Sequence, residues 1–411
     1  MNKQEINRIR QDFPILNQTV QDEPLIYFDN AATSQSPQTV IDQLVHFYQK
    51  DRANAHRGVH TLGQRATDLY EGGRQKIAEF IRAQSPDEVA FTSGTTDSLN
   101  RIARGLIEPR LEAGDILLTT YLEHHSNLVP WQEVCQRTGA HLHFMPLDAT
   151  GQIDLAGLEA MDTHRVKAIV THHVSNVLGV HQPIQALGQW AKDRDILLVI
   201  DGAQAVAHLP LDLANWQIDA YAFSSHKMYG PMGLGVTYLN HRHLSTTQPV
   251  NYGGEMIHQV WDDHANYQQA PWKFEAGTQA ISQVVGLAAA IDWISQIGFP
   301  HIQDQEAQIS RRLYRGLSEL EGVTLYTPET SAANGILSFN LEGIHPHDAA
   351  TAYDQLGIAL RAGHHCAQPL MRRLEIPATL RASLMVYNTE EEVDRFIQAS
   401  QEVKEYFTYG T

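Results

Sequence analysis

Residues 361–370 read RAGHHCAQPL, which sets Cys366 directly behind His364 and His365. A thiol so placed could ligate a metal, attack an electrophile or fill a small apolar gap, and the cluster alone does not choose. A second reactive group stands in FSSHKMYGPMG (223–233), where Lys227 follows the apolar run AYAF amid Ser, His, Tyr and Gly. Most lysines are solvated. One whose surroundings depress its pKa becomes a nucleophile that can hold an aldehyde as a Schiff base.

Three further stretches bear on the choice. LLVIDGAQ (197–204) ends an apolar run with Asp201, at the kind of strand end where an open α/β sheet places ligands. A carboxylate there either caps a helix or keeps a pyridine nitrogen protonated, the condition that makes pyridoxal phosphate (PLP) an electron sink. TSGTTDSLN (92–100) is a Gly/Thr turn opening a helix, with Thr95 and Thr96 where backbone N–H groups and the helix dipole favour a phosphate. YLEHHSNLVPW (121–131) supplies His124 and His125, either of which could stack on an aromatic ring, shuttle protons or be structural. Each stretch is ordinary alone. Their order along the chain is not.

The elements that must position these groups follow from hydrophobic patterning. Apolar runs EVAFTS, DILLTT, AHLHFMPL, VKAIVTHH, ILLVID, AYAFSS and GLGVTYL recur between residues 88 and 239, most followed by a helical stretch. Continuous apolar strands alternating with helices predict a mostly parallel sheet covered on both faces. Beyond about residue 285 the texture changes. A long helix leads to GVTLYT, ILSFNLE, a further helix, IALRAG, RASLMVY and a final helix, an α+β pattern. The predicted division is an N-terminal segment, 1–20, packing with the small domain; a large α/β domain, 21–285; and a small α+β domain, 286–411, carrying the cysteine loop.

With 411 residues, 43% hydrophobic content and a formal charge of −17, the chain reads as an ordinary soluble globular protein. The acidic balance opposes nucleic-acid binding, and no apolar run approaches the roughly 18 residues of a membrane span. The start MNKQEINRIRQDFPIL has no signal-peptide core and reads as an amphipathic helix, so a cytoplasmic location is expected. Two cysteines, Cys135 and Cys366, build neither a disulfide framework nor a cysteine-rich zinc site. Cys135, on the amphipathic stretch LVPWQEVCQR, is expected to be buried. His364 and Cys366 find no matching Cys/His pair elsewhere, so no metal site is expected, and the doublets THHV and HRH read as incidental.

At this point the sequence resembles a known family, the type II cysteine desulfurases of the SUF iron–sulfur assembly kind, within the class V aminotransferase-like enzymes. The resemblance covers YFDNAATSQSP (27–37), HRGVHTL (56–62), EHHSNLVPW (123–131), HVSNVLG (173–179), DGAQA (201–205), FSSHKMYGP (223–231), FEAGT (274–278), RAGHHCAQPLM (361–371) and RASLMVYNT (381–389). It implies the PLP-dependent transferase fold type I, a large domain with a mostly parallel seven-stranded sheet plus a smaller α+β C-terminal domain. It implies that Lys227 carries PLP, Asp201 partners the pyridinium nitrogen, Gln204 bonds the ring hydroxyl and His124 stacks on the ring. Thr95, Thr96, Ser224 and His226 would hold the phosphate, and Thr278 would reach the phosphate of the other subunit of a homodimer. Asn176 and Arg381 resemble the clamp on the substrate carboxylate, with Arg57 and Arg361 near it. Ser93, Asp97 and Gln279 depart from the family's frequent Arg, Glu and Pro, which bears on interface salt links and loop stiffness.

Under this resemblance Cys366 is the nucleophile. L-cysteine would yield L-alanine and a persulfide on Cys366, passed to a sulfur-acceptor protein of the SufE or SufU kind for iron–sulfur cluster assembly. His364, His365 or the substrate amine could favour the thiolate. L-selenocysteine lyase activity, a class V aminotransferase with no use for Cys366, and a non-catalytic PLP-bound assembly partner are the competing readings.

Overall fold

The computed structural model of the chain describes residues 1–56 and 58–409. The seven apolar runs form one sheet from β1 (Val89–Thr92), β2 (Ile116–Thr119), β3 (His141–Phe144), β4 (Val166–His172), β5 (Leu197–Asp201), β6 (Ala220–Ser224) and β7 (Gly235–Leu239). Their order is β1-β7-β6-β5-β4-β2-β3. Strand β7 runs antiparallel to both neighbours, and every other pairing is parallel. Side chains alternate between two apolar layers, as the period of a strand requires. Leu198, Ile200, Tyr221 and Phe223 enter one core; Val199, Ala220 and Ala222 enter the other. The first core is closed by helices Gln38–His46, Thr61–Phe80 and Ile281–Ile297, the second by Thr95–Ile102 and Val129–Thr138. Burial on both faces explains why the strands read as unbroken apolar runs.

The small lobe is built on β8 (Val323–Leu325), β9 (Ile336–Leu341), β10 (Arg361–Gly363) and β11 (Thr379–Ser383), in the antiparallel order β8-β9-β11-β10. Helices Phe299–Ser318, Pro346–Gln355 and Glu390–Tyr409 cover it. The position 285 falls inside the helix Ile281–Ile297, whose apolar sides belong to the large core; Gly298, at φ 83°, separates it from the next helix, and we place the division of the lobes there. The segment after residue 20 also leans on the small lobe, since Ile26–Tyr27 pairs in parallel with Ile358–Ala359. The N-terminal helix Lys3–Gln11 touches both lobes. Arg10 binds Glu392 at 2.8 Å, while Phe13 packs on Trp293 and Tyr229 as well as Tyr387. Among the described residues no single helix is long and apolar enough to cross a membrane.

Candidate active site

The carboxyl ends of β4, β5 and β6 and the turn after β1 converge on a cleft of about 260 Å³, which the small lobe closes with Arg361, His365, Cys366 and Arg381. Such a convergence is where open α/β sheets bind ligands. Lys227 ends a short turn, Ser225–Lys227, directly after β6. Its side chain keeps some surface open to the cleft, but the dense protein around it pushes the amine down to about 8. Burial is the main cause; Arg381 and Arg361 add to it, and Asp201 opposes.

Asp201, at the end of β5, is buried, and burial raises its pKa against the opposing Ala203 N–H and Lys227. Its Oδ1 accepts the Ala203 N–H at 3.0 Å, and no described residue donates to Oδ2. Gln204 donates to the Ala31 carbonyl at 2.7 Å, which fixes its amide beside the cleft. The His124 Nδ1 accepts the Ser126 N–H at 3.1 Å, so the proton sits on Nε2. Burial, with Lys227, His125 and Arg381 adding, pushes His124 down to about 3, which leaves a neutral flat ring in the cleft wall.

The turn SGTT opens helix Thr95–Ile102 without a side-chain cap. The Thr95 N–H and hydroxyl both meet Ser224 Oγ, at 2.7 and 2.6 Å, and the Thr96 hydroxyl meets Ser126 at 2.7 Å. The turn lies so close to β7 that a Cβ on Gly235 would stand 2.5 Å from the Gly94 backbone. His226 is pushed down to about 4, by burial and then by Lys227, and its Nδ1 lies 3.2 Å from the Thr33 hydroxyl. The helix N-terminus, ringed by the hydroxyls of Thr95, Thr96, Ser126 and Ser224, fits a phosphate. The open Asp201 oxygen fits a pyridinium N–H, and the low-pKa lysine fits an aldehyde. The donor set as a whole therefore fits PLP.

Facing it, Arg381 is buried and pushed down to about 10 by that burial, with Asp29 opposing. It donates to the Asn176 carbonyl at 2.8 Å, and Asn176 Nδ2 donates to the His365 carbonyl at 2.8 Å. Cys366 and His365 both take left-handed backbone angles, φ 54° and 50°, a conformation that non-glycine residues hold only when surrounding contacts impose it. Those contacts are visible. The His125 N–H binds the Cys366 carbonyl at 2.7 Å, and the Gln368 N–H binds His125 Nε2 at 3.2 Å. His364 Nδ1 accepts the Cys366 N–H at 3.1 Å, whereas His365 turns its Nε2 to Thr379. The thiol of Cys366 is exposed, and Cys135 is buried with its thiol pushed up to about 11 by that burial.

Of the residues singled out in the sequence, the cleft gathers Thr95, Thr96, His124, Asn176, Asp201, Gln204, Ser224, His226, Lys227, Arg361, Cys366 and Arg381. Thr278 is exposed on a bend outside it, after Glu275, whose buried carboxylate is held by Arg74, Tyr70 and the Phe91 N–H. Arg57 lies outside the described residues. Asp97 accepts from Ser93 and pairs with Arg101, which reaches the Phe274 carbonyl, so this acid is tied within its own chain. The THHV doublet is not incidental. His172 lines the cleft and binds buried Glu123 at 2.8 Å, with Thr120, Asn127 and Thr171 on the same carboxylate. Sequence patterning missed it because a histidine inside an apolar strand carries no local sign of which way it points. Asp29, which joins Arg361 and Arg381, was also missed, although the stretch YFDN contains it.

Comparison with known proteins agrees with this geometry. A match to the family described as Aminotransferase class-V spans residues 26–396. The chain is 45% identical over 407 residues to a probable cysteine desulfurase of Halalkalibacterium halodurans, covering 99% of both chains. Among solved structures it is similar to an apo cysteine desulfurase from Thermococcus onnurineus NA1, at a TM-score of 0.92 and 40% identity, covering 97% of this chain and 98% of that one. It is also similar to the Escherichia coli cysteine desulfurase CsdA, at a TM-score of 0.90 and 35% identity, with the same coverage.

Proposed function

The chain belongs to the class-V aminotransferase family, whose cofactor is PLP, and from that premise we propose that it is a cysteine desulfurase acting on L-cysteine. The observation that carries the reading is one cleft with Lys227 on the wall of the large lobe and Cys366 on that of the small lobe. An aminotransferase has a use for the first and none for the second.

When bound, the cofactor supplies an electron sink for the pair left at the substrate Cα. Lys227 would hold it, Asp201 would keep a proton on its ring nitrogen, and the flat neutral ring of His124 would support it from the cleft wall. Gln204 would bond the ring hydroxyl, and Thr95, Thr96, Ser224 and His226 would hold the phosphate. With Arg361 beside them, Arg381 and Asn176 would orient the substrate carboxylate, which would aim its side chain at Cys366. Lys227 Nζ takes the α-proton, a role suited to an amine brought near neutrality by burial. The Cys366 thiolate attacks the substrate sulfur. The new S–S bond forms, the Cβ–S bond breaks with its electron pair left on Cβ, and protonation of Cβ together with return of the α-proton from Lys227 Nζ to Cα yields L-alanine and a persulfide on Cys366.

The exposed loop at the cleft mouth fits transfer of that sulfur to an acceptor protein of the SufE or SufU kind, serving iron–sulfur assembly in the cytoplasm. The position of Thr278, away from its own cleft, fits a homodimer in which it completes the partner's phosphate site. Brief exposure to L-cysteine followed by intact-mass measurement tests the reading: the chain should gain one sulfur, mapped to the peptide of Cys366. Undiminished L-alanine production by Cys366→Ala in the presence of acceptor would overturn it.

A further inference from the structure

Arg361 and Arg381 are register partners on β10 and β11, so two guanidinium groups stand directly opposite on one sheet. Like charges so placed repel. Asp29, from the segment after residue 20 that leans on the small lobe, lies between them. Its Oδ2 accepts from Arg361 Nε and Nη2 at 3.2 and 3.0 Å, and its Oδ1 from Arg381 Nη2 at 3.4 Å. Asp29 does not drift there by chance, because its backbone bridges to Ser383 of β11 and its carbonyl accepts the Ala32 N–H. The remaining Arg381 groups are Nη1, given to the Asn176 carbonyl, and Nε, buried with no hydrogen-bond partner among the described residues. A buried donor left without a partner is costly until an anionic ligand satisfies its guanidinium.

The charges can be counted. Two guanidiniums and one carboxylate leave a single net positive charge, which one substrate carboxylate neutralises. Without Asp29 the same clamp would carry two positive charges, and Arg361 would have an empty fork suited to a second carboxylate. We propose that Asp29 is a positioning and specificity residue, which sets the clamp to one carboxylate by occupying the fork of Arg361 and orienting Arg381. The inference rests on the reading of the cleft as an amino-acid site and adds which amino acids it favours: monocarboxylic over dicarboxylic.

The test uses the PLP-loaded enzyme and titrates propionate and succinate by calorimetry. Neither has an amine, so binding reports the clamp alone and not turnover. In Asp29→Asn the ratio of succinate to propionate affinity should rise roughly tenfold, the scale of one unit charge acting at short range in a partly buried cleft. Asp29→Glu, which keeps the charge, should hold the wild-type ratio. If Asp29→Asn does not fold, Asp29→Ser carries the same expectation. An unchanged ratio in the neutral variants, or an equal shift in Asp29→Glu, overturns the proposal. Failure of the wild-type holoenzyme to bind propionate or L-alanine at all would instead overturn the amino-acid reading, and this inference with it. The wild-type titrations alone separate the two failures.

Discussion

Lys227 shows how much chemistry one position can extract from burial. An exposed lysine stays protonated until about pH 10 and is a poor nucleophile at neutrality. Here burial, with two nearby arginines, brings the amine down to about 8 against the pull of Asp201. Because the protein lowers this pKa, the reactive neutral amine gains population as pH rises to that value and saturates beyond it. In the apoenzyme, the rate of Schiff-base formation with added PLP should therefore climb roughly tenfold per pH unit below about 8 and level off above it. Stopped-flow absorbance of the cofactor measures this. A rate still climbing past about pH 9.5 would show an ordinary, solvated lysine.

At the scale of elements, the phosphate cradle depends on contact between a turn and a strand. Helix Thr95–Ile102 begins where Gly94 passes against β7, and Gly235 allows that passage because a Cβ there would also stand 2.3 Å from Thr92 Oγ1. Gly235→Ala forces the turn and β7 apart. It should lower stability by about 1–3 kcal/mol, the usual range for overpacking. It should also weaken PLP retention, because the Thr95 and Thr96 groups move off the phosphate. Thermal unfolding and equilibrium dialysis of PLP read the two effects separately. Unaltered PLP affinity in a destabilised variant would detach the turn from cofactor binding. The Cys366 loop obeys the same logic: its left-handed residues are held by His125 from the large lobe and by Asn176 after β4.

The whole molecule is two lobes sharing a cleft, and a homodimer would account for a threonine left outside it. Light scattering should give a mass twice the 46.0 kDa of the chain. Thr278→Ala should leave that mass unchanged but weaken PLP binding roughly tenfold, as expected for losing one hydrogen bond to a charged group. A monomer with undiminished PLP affinity would refute the composite site. In such an assembly the contacts of Glu275 with Arg74 and Tyr70 would hold the loop that presents Thr278 where it leaves the large lobe.

The chain announces its strands locally, because a sheet covered on both faces requires unbroken apolar runs, and all seven stand where EVAFTS through GLGVTYL place them. It announces Lys227, Asp201 and Cys366 through residue types that sit poorly in their neighbourhoods. The order of the strands and the antiparallel insertion of β7 are not local properties; they depend on which apolar faces find each other. The same holds for His172 beside Glu123 and for Asp29 between two arginines. Sequence alone singled out the candidate reactive groups. Folding decided which charges meet, because a carboxylate, an imidazole and a guanidinium far apart in the chain influence one another only through the distance and burial that tertiary packing imposes.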